Sequence, residues 1–192
     1  MHLRGDAFTA EQKARNFAYY EAITVRACSL LASTQAVLAA EVCQLELAYD
    51  YLGEAAFMDL HDLAHNVRDG LHMASLAGAW TALIAGFGGM RLQHYLLRSS
   101  PRLPEALRRL TFHLLFRGSR LRVEVTPTEV TNRTLDGTSL KMVHHGEEIL
   151  VPLDEAVTRS IPPLQSGQRP HQPPGREPRS HYARVVFIKS PV

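Results

Sequence analysis

The chain has 192 residues, 45% hydrophobic and 21% charged, with a formal net charge of +2 and two cysteines. This balance is that of a globular protein with one large or two small domains, and it excludes collagen-like and disulfide-framework classes. Near-neutral charge rules out a strong electrostatic case for nucleic acid, which needs a clustered basic face, and no apolar run reaches the length of a membrane span.

The opening Met1-His2-Leu3-Arg4-Gly5-Asp6 lacks the basic-then-apolar order of a signal peptide. Cys28 and Cys43 have no metal-ligand spacing, so a reducing, cytoplasmic setting is expected. Thr9-Ala10-Glu11-Gln12 fits a capping box, which predicts a helix from there to about Tyr20. Ser33 can cap a second helix over residues 34–52. Val37, Ala40, Leu45, Ala48 and Leu52 recur in it at helical spacing, and Gly53 ends it. Residues 54–63 read as a shorter helical segment. The stretch from His72 to Phe87 is apolar on every side, as expected of a buried helix. Its small residues Ala74, Ala77, Gly78, Ala82 and Ala85 let neighbouring backbones approach, and Gly86, Gly88 and Gly89 terminate it. Burying such a helix takes more helices than the preceding segments supply, so the chain is expected to be a piece of something larger.

After a Ser- and Pro-rich joint at residues 99–104, the period changes to two. Leu110, Phe112, Leu114 and Phe116 alternate, Gly118-Ser119 can turn, and Leu121, Val123 and Val125 alternate again. Asp136-Gly137 is a two-residue turn candidate between residues 130–135 and 140–143, and His145-Gly146 turns before residues 149–151. Four or five antiparallel strands are expected, a small sandwich or half of one. Residues 161–179, rich in Pro, Gln, Gly and Arg, cannot bury enough apolar surface to offset their ordering entropy and are expected to be disordered. The short apolar run Val185 to Ile188 would dock on an edge strand or stay free. The reading is α+β: helical residues 1–98, a β-sandwich over 99–160, and a Pro-rich tail over 161–192.

Few residues point to chemistry by themselves. Arg68-Asp69-Gly70-Leu71-His72 precedes the apolar helix, where free amides and positive charge suit an anion. A capping turn with Asp69 as N-cap and His72 in the core fits the same string. Glu54, Asp59, Asp62 and Asp69 are candidate acids, though helix faces carry solvated carboxylates routinely. Cys28-Ser29 lacks the local signature of a nucleophile. His144-His145 would point to opposite faces of a strand, which disfavours a shared metal, and Arg117, Arg120 and Arg122 read as a solvated face.

Longer strings do resemble a family. Ala64-His65-Asn66-Val67-Arg68-Asp69-Gly70-Leu71-His72-Met73-Ala74-Ser75-Leu76-Ala77-Gly78, then Gly86-Phe87-Gly88-Gly89-Met90-Arg91, resemble the last third of the (α/α)6 barrel of glycoside hydrolase family 65. That family comprises the maltose, trehalose and kojibiose phosphorylases and their trehalose-cleaving hydrolase relatives. Tyr20-Glu21-Ala22-Ile23-Thr24-Val25 lies upstream, while Pro101-Arg102-Leu103-Pro104 and residues 116–125 resemble the family's C-terminal β-sandwich.

The resemblance implies an inverting cleavage of an α-glucosidic disaccharide by phosphate or water, with no cofactor and with inorganic phosphate as co-substrate in a phosphorylase. It implies phosphate-binding roles for His72, Ser29 and Arg68. The family's catalytic Glu lies in a Gly-Pro-Asn/Asp-Glu-Tyr motif that this sequence lacks, so the general acid is expected upstream and no residue here is assigned as catalytic. Cys28-Ser29-Leu30-Leu31 replaces a Ser-Ser-Leu-Ser element, and Gln35 stands where phosphorylases usually have His. The expectation is a C-terminal fragment, inactive alone. The alternative is a non-catalytic module that docks on a separate family member or on a second copy of itself.

Overall fold

The structure is a computed structural model describing residues 7–26, 28–163 and 167–179. The capping box forms as the sequence predicts. Gln12 N donates to Thr9 Oγ1 at 3.2 Å, Thr9 N donates to Gln12 Oε1 at 2.9 Å, and helix α1 runs Ala10–Ile23.

The helix expected over residues 34–52 is two helices, α2 Leu31–Glu41 and α3 Leu45–Ala56. Cys43 breaks them with a left-handed φ of 61°, while Gln44 N closes the end of α2 on Ala39 O at 2.8 Å. Periodicity missed this break because the apolar positions keep one phase through it. Ser33 lies inside α2 rather than capping it, its Oγ donating to Leu30 O at 3.0 Å. Gly53 is buried within α3 instead of ending it, and residues 57–64 are turns.

The apolar stretch also divides. Helix α4 spans Met73–Thr81 and a π-helical turn follows over Ala82–Phe87. The second half is buried through Ala82, Ile84, Gly86 and Phe87. The first half is not, contrary to the expected enclosure. Met73, Leu76 and Trp80, three and four residues apart on one face, are 68%, 39% and 54% exposed. Gly78 does serve close packing: a Cβ there would fall 2.4 Å from Ser33 Oγ, so α4 can touch α2 only because this residue has no side chain.

Eight strands form two sheets. The first is β1 Arg91–Gln93, β2 Leu96–Ser99, β6 Leu140–His144 and β7 Glu147–Val151 in that order, with β2 and β6 parallel. The second holds β3 Leu110–Phe116, β4 Ser119–Val125, β5 Glu129–Asp136 and β8 Ala156–Ser160, all antiparallel. Strands β1 and β2 occupy residues expected in the helical part. They are too short for a period to show; β1 pairs only with β2, and β2 is anchored by β6, more than forty positions downstream in the chain. In β4, Ser119, Leu121, Val123 and Val125 are buried while Arg120 and Arg122 face solvent. The β3–β4 turn places Arg117 and Gly118 at φ 50° and 76°, and the β6–β7 turn His145 and Gly146 at 44° and 93°, the left-handed pairs of tight hairpins.

Asp136-Gly137 is no hairpin turn, because β5 and β6 belong to different sheets. Ser119 anchors this crossing: its Oγ accepts from Thr138 N at 2.9 Å and donates to Thr138 O at 3.0 Å. The apolar faces of both sheets and the inner faces of the helices share one core cluster. No described helix is long and apolar enough to cross a membrane.

The described part of the Pro-rich tail, residues 167–179, is ordered on the helices, correcting the expectation of disorder. Gln44 Nε2 donates to Gly167 O at 2.9 Å, and Arg176 Nη1 to Ala22 O at 2.9 Å. Polar contacts to an existing surface supply what composition could not. The run from Val185 to Ile188 lies outside the described residues.

Candidate functional site

A polar network is buried where α1, α2 and α3 converge. Glu21 from α1, Gln35 from α2, and Tyr51 and Glu54 from α3 are each less than 8% exposed. Gln35 Nε2 and Tyr51 OH donate to the two oxygens of Glu21 at 2.7 and 2.6 Å. Arg26, from the loop after α1, donates to Gln35 Oε1 at 2.7 Å, pairs with Glu54 and lies 4.8 Å over the Tyr51 ring. Burial, then the hydrogen bond to Glu21 and its charge, hold the Tyr51 hydroxyl protonated well above its ordinary range, so it acts as donor. The tail completes the network. Gln172 Nε2 donates to Glu21 at 2.7 Å and to Tyr51 OH at 2.8 Å, and Arg179 N donates to Glu54 at 2.9 Å.

On the outer edge of this network lies a small cavity of about 50 Å³, lined by Arg26, Ser29, Glu54, Met58 and Arg179. Ser29 therefore faces two guanidinium-bearing residues. His72 sits at the N-terminal boundary of α4, held at two points by Asp59. Its main-chain N–H donates to Asp59 Oδ2 at 2.9 Å, and its Nδ1 lies 2.6 Å from Asp59 Oδ1. Asp59 follows Met58 of the cavity wall, so the same turn supports both residues. The clasp occupies Nδ1 and fixes the ring, leaving Nε2 as the nitrogen that can meet an oxyanion. Arg68 is placed apart, its side chain 88% exposed and 3.7 Å from the carboxylate of exposed Asp69.

The four candidate acids separate by environment. Glu54 is engaged by Arg26 and the Arg179 amide, Asp59 by His72, and Asp62 accepts from Val67 N at 3.1 Å. Asp69 is not the N-cap of α4; His72 occupies that position. Glu21, which no sequence signal marks, is the deepest carboxylate of the network, and its neighbours Tyr19 and Tyr20 are exposed. A buried Glu within a helix has the same letter as a solvated one, so the signal was absent rather than overlooked.

Elsewhere, His144 is buried with Nε2 3.0 Å from Ser160 O, and its ring meets that of His145 edge-on. Burial, with His144 and Arg102 adding, lowers the His145 imidazole to about 4. No group of three or more His, Cys, Asp or Glu suited to a metal ion occurs among the described residues. Arg122 pairs with Glu124 on the solvent side of β4, and Arg117 lies over the Phe116 ring.

Residues 1–81 match the family model described as the glycosyl hydrolase family 65 central catalytic domain, and residues 90–151 the model of the glycosyl hydrolase family 65 C-terminal domain. An uncharacterized glycosyl hydrolase of Mycobacterium tuberculosis is 52% identical over 183 residues, covering 93% of this chain and 23% of that protein. An α,α-trehalose phosphorylase of Thermoanaerobacter brockii is 36% identical over 151 residues, covering 79% of this chain and 20% of the enzyme. A solved structure, provisionally named a kojibiose phosphorylase from the human microbiome, superposes with a TM-score of 0.78 at 26% identity, over 86% of this chain and 24% of that one. The chain thus spans about a quarter of the length of the relatives it matches.

Proposed function

The chain belongs to glycoside hydrolase family 65, and from that premise we propose that it serves the inverting cleavage of an α-glucosidic disaccharide of the trehalose, maltose or kojibiose type. Its helical portion forms part of an (α/α)6 barrel and contributes the anion side of the site. In phosphorolysis an acid protonates the glycosidic oxygen while phosphate attacks the anomeric carbon, so the protein must hold a charged nucleophile beside the sugar; in hydrolysis a base must activate water instead. His72 and Ser29, with Arg68 as the outer charge, hold that phosphate, and the general acid comes from residues outside this chain. The observation carrying the reading is the two-point clasp of Asp59 on His72, which fixes the imidazole at the start of α4. A hydrogen bond from such a group to phosphate contributes roughly 1.5–3 kcal/mol. No metal or organic cofactor is proposed, with inorganic phosphate as co-substrate, and the setting proposed is the cytoplasm.

The purified chain, incubated with trehalose, maltose or kojibiose with and without phosphate, is expected to release no sugar. Phosphate-dependent release would overturn the assignment of the acid to another polypeptide segment. A second reading has its own support in the exposed face of Met73, Leu76 and Trp80 on α4, a continuous apolar stripe suited to packing against further helices. Under it the chain is a docking module. Mixing it with the remaining catalytic region of a family 65 enzyme, expressed separately, is expected to restore cleavage, and His72→Ala is expected to raise the phosphate KM of the restored activity tenfold or more. Self-association seen by light scattering instead would identify a second copy as the occupant.

A further inference from the structure

A second, larger cavity lies on the opposite side of α2 from the network, where the start of α1 and the end of α2 meet β1 and β2. Its volume is about 270 Å³, and its charged lining is Lys13, Arg91, Arg98, Arg102 and Glu41. Four cations face one carboxylate. Glu41 is already shared, 2.6 Å from Lys13 Nζ and 3.3 Å from Arg91 Nη2. Although burial opposes it, these two cations hold the Glu41 carboxyl below its usual range. Arg102 is satisfied by carbonyls, Nη1 donating to Ala40 O at 3.0 Å and Glu41 O at 2.7 Å, and Nε to Ser100 O at 3.1 Å. Those bonds orient the guanidinium without neutralising it.

Arg98 is the residue that structure alone does not explain. Its Nε is buried with no hydrogen-bond partner among the described residues. In the β1–β2 ladder its Cα partner is Arg91, so two guanidinium-bearing residues stand directly opposite each other on adjacent strands. Like charges so placed repel. Burial, then Arg102, already weakens the charged form of Arg91 despite Glu41. Arg91 is engaged, its Nη1 donating to Ala85 O and Met90 O and its Nη2 to Glu41. A dianion between the two arginines would satisfy the orphaned Arg98 Nε, offset the repulsion and meet the planar fork geometry that arginine presents to phosphate.

We propose that this cleft binds a small phosphate-bearing anion, either inorganic phosphate or the phosphate monoester of a small polyol, through Arg98, Arg91 and Lys13. The volume greatly exceeds the roughly 10–15 Å³ that one water needs, leaving room for an organic group beside the phosphate. Gln93 and Ser100, also in the lining, offer hydroxyl-binding partners for it. Ser29 and His72 line no part of this cavity, so the site stands independently of the proposed phosphorolysis.

The test is calorimetric titration of the intact chain with inorganic phosphate and with glucose 1-phosphate, at constant ionic strength in chloride. Saturable binding of at least one probe is expected, weakened tenfold or more by Arg98→Met. Arg98→Lys, which keeps a charge and secures the fold if the first variant fails, is expected to weaken it several-fold. An Arg122→Met variant, which removes an exposed arginine that lines neither cavity, is expected to stay within twofold of the unaltered chain. Tighter binding of glucose 1-phosphate identifies a monoester site, and equal binding a free-phosphate site. Affinity unchanged by both Arg98 substitutions, an equal loss in Arg122→Met, or no saturable binding of either probe would overturn the proposal.

Discussion

The two sheets and the helical region solve burial differently. In the sheets every strand finds its partner within the chain, and Leu121, Val123, Val125, Val130 and Val151 are fully enclosed. The helices pack tightly on one side, where Ala32, Ala36, Ala39 and Ala40 of α2 are buried, yet leave Met73, Leu76 and Trp80 open on α4 and Tyr19, Tyr20 and Ile23 open on α1. The interior of the helical region is also polar, stitched by Glu21, Gln35, Arg26 and Glu54. Strand pairing completed within the chain thus marks the β part. Partial apolar packing around a charged network marks the part that carries the proposed anion site.

The contrast predicts where substitutions act. Arg26→Met leaves Glu54 as an uncompensated buried carboxylate and frees Gln35. It is expected to destabilise by about 3–5 kcal/mol, read as a lowered urea midpoint. A change under about 1 kcal/mol would mean that water reaches the network. Leu121→Ala opens a void between fully packed strands and should cost about 2–5 kcal/mol in the same measurement.

Acid sharpens the comparison through His145. Its folded value of about 4 lies below the ordinary 6.5, so the unfolded chain binds more protons between these values. Stability is therefore expected to fall as pH drops from 6.5 towards 4 and to level off below. Glu41, whose value is lowered, acts only beneath the ordinary carboxylate range, while Asp50, raised by burial despite Arg169, acts in the opposite sense just above its ordinary value. His145→Gln should flatten the upper part of the profile. The smallest effect is expected at Trp80→Ser, within about 0.5 kcal/mol for the isolated chain, because the ring is 54% exposed. A loss comparable to Leu121→Ala would show that α4 is covered in solution.

Much of the β part was legible in the sequence. Alternation gave β3 and β4 with the correct inward residues, since a strand's faces follow from local geometry. The α1 cap was legible for the same reason: Thr9 and Gln12 satisfy each other within one turn. The site was legible only in part. His72 and Asp59 both stood out as candidates, but their pairing crosses thirteen positions of turns, and no spacing rule links them. Arg68, adjacent to the motif, proved to be the more exposed charge, while Arg179 flanks Ser29 from a distant segment and Arg26 from three positions before it.

The sequence by itself determined the alternation of β3 and β4, the turn at His145-Gly146, the helix start at Thr9 and the family, because each rests on short-range backbone preference or on an ordered string of residues. Tertiary structure alone decided that Cys43 divides a helix and that β2 runs parallel to β6. It likewise decided that Glu21 is buried and that residues 167–179 lie on the helices. Those outcomes depend on which polar groups find partners across more than a dozen intervening residues. Free energy of that kind belongs to the pair, and neither residue's letter or neighbours carry it.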